Sequence, residues 1–424
     1  MINDFNKNLN LIFVYIGVFS FFFLWDINLG IFNLRYLIVL PIFTLIFYSF
    51  KEINFKNIIF YIFFPLLITF HFLILSYYFK YEINLRDYFG LIFLFITFIV
   101  FFFNRNIIKA NLDKILNLFI VFFSISFLIY FILSETSIVL NCYDGWFFRN
   151  QFVYIENSHF AIISVPIINY YLIKFFDNQN QIKNNKILFL FFVIFLIISF
   201  INFSTTFLVG LILTNLFILI KKYKNLKFIV VSFFLIFSSL LIILNYKQCT
   251  DRSLGSIKKI KEFYEFKKSS TIENMVETEI KEELLKYRFS MSVETFIVSL
   301  EITNKSFFDK PFGVGFNKYY LSHKEYIDQI MKTDDQVKKN NIYDGSTNIS
   351  KLITEFGLFG ILLLLMVFFY YLKIKKINNT NIFILSLIFM QLLRGVGYFN
   401  GGFLLAIMLL FSEFNIFKKY LIKN

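Results

Sequence analysis

Residues 58–79 read IIFYIFFPLLITFHFLILSYYF, with no charged side chain until Lys80. At about 1.5 Å per residue, a helix over this stretch reaches across the ~30 Å hydrocarbon layer of a bilayer. A surface helix of a soluble domain carries polar residues along one face, and this stretch has no such face. Three more blocks of the same kind stand around it, at 11–25, 31–50 and 88–103. Further along they recur at 115–133, 160–176, 187–203, 205–220, 228–245, 352–373, 382–393 and 403–417. The blocks at 187–203 and 205–220 almost touch and the last two are short, so eleven or twelve spans are expected. The expected fold class is therefore all-α, a polytopic transmembrane helix bundle with one large extracytoplasmic loop containing amphipathic helices.

The whole chain agrees with this reading. Its 424 residues have a mean hydropathy of +0.67 and are 58% hydrophobic, above the near-half usual in soluble domains. No small-residue cleavage site follows the first block, so span one is expected to stay as an anchor. Placing the N-terminus in the cytoplasm and alternating sides puts 19 basic residues in the cytoplasmic segments. Only 5 fall in the short outer loops and their helix ends: Arg35, Lys80, Arg86, Arg149 and Arg394. Short basic loops resist translocation, so both termini are expected on the cytoplasmic side of an inner membrane. This asymmetry accounts for the net charge of +14 without a nucleic-acid partner.

Three parts follow from this pattern: spans 1–9 over residues 1–245, an outer loop over 246–351, and spans 10–12 with a cytoplasmic tail over 352–424. The loop region is nearly balanced, with 18 basic and 16 acidic residues, and long loops translocate regardless of charge. Residues 256–268 and 272–287 read as charged helices. Phe289, Val293, Phe296, Ile297 and Leu300 recur at helical spacing, so 288–302 is expected as an amphipathic helix. It either lies along the membrane or lids a cavity. Pro311, Gly313 and Gly315 then break the chain into a tight loop.

Chemistry in such a protein rests on polar residues that insertion would otherwise remove. Of the seven arginines, six are expected on or near the outer face: Arg35, Arg86, Arg149, Arg252, Arg288 and Arg394. Cytoplasmic positive charge is nearly all lysine, where any cation serves. Arginine kept on the other side suggests a need for its planar, multi-donor head, which grips phosphate and pyrophosphate in a bidentate manner. Scattered interface arginines are the plainer alternative. Glu156 and His159, ahead of span six, form a candidate base and partner, or simply a capped helix entry with Asn157 or Ser158. Three histidines and two cysteines make no metal-ligand pattern, and no phosphate-binding Walker loop or nucleophile elbow occurs. Cys142 and Cys249 both fall on the expected outer side, which permits a disulfide.

Residues 288–374 resemble the O-antigen polymerase and O-antigen ligase superfamily of bacterial envelope enzymes. The matching residues are Arg288, then Pro311-Phe312-Gly313-Val314-Gly315-Phe316, then 348–360, which end in Glu355-Phe356-Gly357-Leu358-Phe359-Gly360. A weaker match covers 149–160, and Thr205-Thr206 sit where the family often has Ser-Arg. The ligase branch usually carries a histidine ahead of the Glu-x-Gly-Leu run. Ser346 or Thr347 occupies that region here, which favours the polymerase branch.

The resemblance implies a membrane glycosyltransferase working on the extracytoplasmic face, with the bilayer and undecaprenyl-pyrophosphate-linked glycans as partners. It also implies a chain-length regulator as a protein partner, and no cofactor or metal. The pyrophosphate leaving group needs cationic donors rather than a proton. Arg288 fits that role first, then Arg149 and Arg394, with Arg86, Arg35 and the Gly313–Gly315 loop as further substrate contacts. Candidates for the base are Glu355, Glu156, His159 and Asp344. The alternatives are a ligase moving glycan to lipid A core or protein, and a flippase for lipid-linked oligosaccharide.

Overall fold

The computed structural model describes residues 12, 14–15, 18, 28–29, 32–33, 55–133, 157–177, 185–201, 204–220, 226–245, 291–330, 342–343, 345–374, 378–395, 397–398 and 402–413. Strands β1 (Asn28–Leu29) and β2 (Phe32–Asn33) form a two-residue antiparallel ladder with Asn28 opposite Asn33. The other regular elements among the described residues are helices, and the fold is all-α. In chain order they are α1 (Phe55–Tyr78), α2 (Leu85–Leu133), α3 (Asn157–Asp177), α4 (Lys186–Ile201), α5 (Thr205–Ile220) and α6 (Leu226–Asn245). Then come α7 (Met291–Asp309), α8 (Tyr319–Ile330), α9 (Asn348–Phe356), α10 (Leu358–Lys373), α11 (Asn379–Leu393) and α12 (Phe403–Glu413).

α3 is the centre. Every residue from Phe160 to Phe175 is buried, and α2, α4, α5, α6 and α11 pack around it. Phe123 of α2 stacks on Phe160 at 4.8 Å, and Phe195 of α4 meets both rings edge-on. Polar groups inside this apolar bundle bond between helices: Asn169 donates to Thr214 of α5 at 2.7 Å and to Ser386 of α11 at 3.4 Å. Lys174 pairs with Asp113 of α2, which also accepts from the Tyr170 hydroxyl at 3.1 Å.

Two expectations from the sequence change. The connection expected at 104–114 is helical, and α2 runs through it for 49 residues. That stretch is polar but holds neither glycine nor proline, so nothing in it stops a helix. Its first half packs on α1 and its second half on α3 and α4. The span expected at 352–373 begins later, because the helix breaks at Gly357 (φ +55°) into short α9 and apolar α10. By contrast α4 and α5 are separate helices, as the near-touching blocks allowed. Ser204 sits between them and accepts from the Phe207 N–H at 3.1 Å, an N-cap that starts α5.

One stretch among the described residues, Asn106–Ile129 of α2, is long and apolar enough to cross a membrane; shorter apolar helices include Pro65–Tyr78, His159–Phe175 and Leu358–Lys373. α10 buries only Gly360, Tyr370 and Tyr371, while Leu358, Phe359, Leu362, Leu365, Met366, Phe368, Phe369 and Leu372 are exposed. α1 likewise exposes Phe63, Leu66, Leu67, Phe70, Leu73 and Ile74. A second, smaller core of Val298, Ile302, Tyr319, Tyr326 and Ile327 joins α7 to α8.

Candidate functional site

The site is assembled from three segments far apart in sequence: the 310–319 turn, residues 345–360, and the 394–398 turn. The first two meet backbone to backbone. Val314 N–H donates to Thr354 O at 3.0 Å, Gly315 N–H to Glu355 O at 2.9 Å, and Leu358 N–H to Pro311 O at 2.9 Å. This contact is why glycine recurs in both segments. A Cβ on Gly313 (φ +85°) would stand 2.3 Å from Glu355 O, and one on Gly357 would stand 2.0 Å from Pro311 O. The third segment docks on the start of α9. Arg394 donates to the Ser346 hydroxyl at 3.1 Å, Asn348 donates to Gln391 at 3.0 Å, and a Cβ on Gly395 would lie 2.4 Å from the Asn348 nitrogen. Thr347 caps α9 by accepting from the Ser350 N–H at 3.0 Å.

Glu355 lies where the segments converge, with no exposed surface. One carboxylate oxygen accepts from the Tyr319 N–H at 3.2 Å, the other from the Tyr398 hydroxyl at 2.9 Å. Lys351, one turn earlier on α9, holds its ammonium 3.8 Å from the first oxygen and 5.1 Å from the Tyr398 ring centre. That ammonium also donates to Tyr343 O at 2.7 Å. Burial pushes the carboxyl above the ordinary carboxylate range, against the opposing pull of Lys351 and its hydrogen-bond donors. The same burial, with Glu355 beside it, holds the Tyr398 hydroxyl well above its ordinary value. Phe316 stacks on Tyr398 at 5.8 Å and closes the cluster from the turn side.

A second buried ion pair fixes the 310–319 turn to α2. Lys318 reaches Asp87 at 2.6 Å with both side chains enclosed, and donates to Glu82 O at 2.9 Å. Asp87 in turn accepts from the Asn84 N–H at 3.0 Å, so it also caps the start of α2. Behind the turn, a hydroxyl seam joins α7, α8 and α9: Ser299 with Tyr319 at 3.1 Å, Thr354 with Thr303 at 3.1 Å, and Ser306 with Ser322 at 2.9 Å.

Glu355, Arg394, Gly313 and Gly315, four of the residues singled out from sequence, thus belong to one assembly. Glu355 is enclosed and fully bonded, so its geometry is that of a positioning group rather than a base open to substrate. His159 stands in the first turn of α3, partly exposed. Arg86 lies in the first turn of α2, with its side chain outside the described residues. Arg35, Arg149, Glu156, Arg252, Arg288, Asp344, Cys142 and Cys249 also lie outside them, as do the charged helices expected at 256–287. The sequence reading gave no role to Tyr319, Lys351, Tyr398, or the Asp87–Lys318 pair. Only Asp87 had a local signal, an acid at the head of an apolar block. No protein-family model, no curated protein and no solved structure matches this chain.

Proposed function

We propose that the chain is a multi-pass membrane glycosyltransferase that polymerises lipid-pyrophosphate-linked oligosaccharide units on the extracytoplasmic face. The observation that supports this most is the convergence of the 310–319, 345–360 and 394–398 segments. The first two carry the resemblance to the O-antigen polymerase superfamily, and the third adds an arginine whose guanidinium stands at the start of α9. The bare apolar faces of α1 and α10 support the membrane reading, because contiguous exposed rows of Leu and Phe mark a lipid or partner surface rather than a solvated one. Downstream of α2, the lysine clusters at 174–186, 221–227, 373–376 and 418–423 fall on one side of the alternation, opposite the large loop, which supports the orientation.

In this reading the arginines hold the pyrophosphate of the donor as charge develops on it, while a sugar hydroxyl of the incoming unit attacks the anomeric carbon. The anomeric carbon–oxygen bond breaks, the electron pair leaves with the lipid pyrophosphate, and the hydroxyl proton passes to a base. Arg394 is the described arginine assigned to the donor, with Arg288 as its partner from the sequence. Glu355 acts through Tyr319, Tyr398 and Lys351 as a positioning residue. The test is the surface-polysaccharide banding pattern of strains carrying Arg394→Ala, Arg394→Lys, Arg288→Ala or Arg288→Lys, with membrane levels of each variant checked. Loss of the ladder with single units still attached is the expected result, and failure of lysine to rescue indicates bidentate binding. Accumulation of lipid-linked polymer with nothing attached favours the ligase alternative. An unchanged ladder overturns the assignment.

A further inference from the structure

α7 turns its polar and small residues inward. Thr295, Ser299, Thr303 and Ser306 are buried together with Ile297, Val298 and Ile302. Outward it shows a slowly winding i, i+4 stripe of Phe296, Leu300, Asn304 and Phe308, apolar but for Asn304. Phe308 is 75% exposed, and Phe312 in the following turn is 57% exposed. The strongly exposed Phe308 and Phe312, with Phe296 and Leu300 further along α7, form an apolar edge of the kind that marks a contact surface.

The neighbours of this line identify the partner. Phe312 O accepts from His71 Nε2 of α1 at 2.8 Å, and the His71 ring lies 5.5 Å from Phe359 at the start of α10. The turn therefore emerges between the two helices whose exposed faces are apolar. The exposed Tyr77 and Tyr78 end α1 near this turn, and Lys310 lies 5.4 Å over the Phe79 ring. Tyrosine and lysine are the residues that collect at a membrane–water boundary. The exposed residues of α8 are the polar Lys324, Glu325, Asp328 and Gln329, and Glu325 pairs with Lys310 at 2.5 Å beside the end of α1. One small unit thus presents an aromatic edge continuous with α1 and α10, bordered by the charged face of α8 at the Lys310–Glu325 pair.

We propose that Phe296, Leu300, Phe308 and Phe312 form an interfacial anchor, seated among the acyl chains just below the headgroups of the outer leaflet. The proposal rests on the multi-pass reading given above. It sets the Pro311–Gly315 turn, and with it Glu355 and Tyr319, at headgroup level, the depth at which the pyrophosphate of a lipid-linked substrate lies.

The test is tryptophan quenching in bilayers doped with brominated phospholipid. The full chain carries two tryptophans, so Trp25→Phe and Trp146→Phe provide a silent background. Single probes are then placed at Phe308→Trp and Phe312→Trp, with Leu365→Trp on α10 as the lipid control and Gln329→Trp on α8 as the water control. All four replace exposed side chains, so folding is retained. Expected is loss of at least about half the emission at Phe308→Trp and Phe312→Trp, as for Leu365→Trp, with bromine near the headgroup quenching more than bromine near the chain end. Quenching no greater than at Gln329→Trp, while Leu365→Trp is quenched, overturns the anchor. The edge is then covered by another segment of this chain or by a second copy, and the multi-pass reading stands. If Leu365→Trp is itself unquenched, the multi-pass reading fails and the anchor with it.

Discussion

Glu355 shows how one enclosed carboxylate can organise three segments. Its two oxygens accept from the Tyr319 N–H and the Tyr398 hydroxyl, and the side chain is closed to solvent. Glu355→Ala is expected to cost roughly 2–4 kcal/mol, since two enclosed donors each lose a partner. Glu355→Gln keeps an acceptor and is expected to cost less; thermal melts of the purified protein check both. The raised pKa gives a pH signature as well. The folded protein holds the Glu355 proton more tightly than the unfolded chain does. Stability from this group therefore falls as pH rises through the window between its ordinary and its raised value, and is constant below that window. Melts across that window should lose this component of their slope in Glu355→Gln, and an unaltered slope refutes it. Glycines sort in the same way. Gly315→Ala meets only ordinary contacts but a φ of +101°, for an expected cost of about 1–3 kcal/mol. Gly313→Ala adds a Cβ 2.3 Å from backbone and is expected to leave little folded protein, measured as yield in membranes.

Between elements, the Asp87–Lys318 pair joins the first turn of α2 to the turn ahead of α8. Both side chains are enclosed, so removing one charge strands the other. Lys318→Met is expected to destabilise by roughly 3–5 kcal/mol, because a buried carboxylate loses its partner. Asp87→Leu with Lys318→Met should recover most of that loss, leaving about 1 kcal/mol for the lost α2 cap. Equal losses in the single and double variants would show that the pair itself, and not the stranded charge, supplies the stability. The continuity of α2 belongs to this scale too. Its polar middle suggested a loop from composition, yet Asp113 and Asn117 are used there to bond Lys174, Tyr170 and Tyr171 of α3.

At the scale of the whole molecule, the proposed function assigns the exposed apolar faces of α1 and α10 to lipid and the exposed charged face of α8 to water. Labelling of intact cells tests this division. With Cys142 and Cys249 replaced by serine, Asp328→Cys is expected to react with a membrane-impermeant maleimide, and Lys375→Cys only after lysis. Reaction of both in intact cells would reject the proposed orientation.

The sequence by itself determined the helical class, because long runs without charge leave a chain few ways to satisfy its backbone except helices. It also pointed to Arg394 as one of few arginines and to Gly313 and Gly315 as turn formers, and the family resemblance added Glu355. Only the tertiary structure decided what those residues do. Glu355 was a candidate base in sequence and is an enclosed anchor in space, because Tyr319, Lys351 and Tyr398 surround it from three segments. Local composition cannot encode that encounter. Helix ends mixed the two levels: the absence of glycine and proline allowed the run through 104–114, while the break at Gly357 needed both a residue that accepts φ +55° and the close approach of Pro311. Hydropathy reads how far a side chain prefers water, and packing decides which side chains it meets instead.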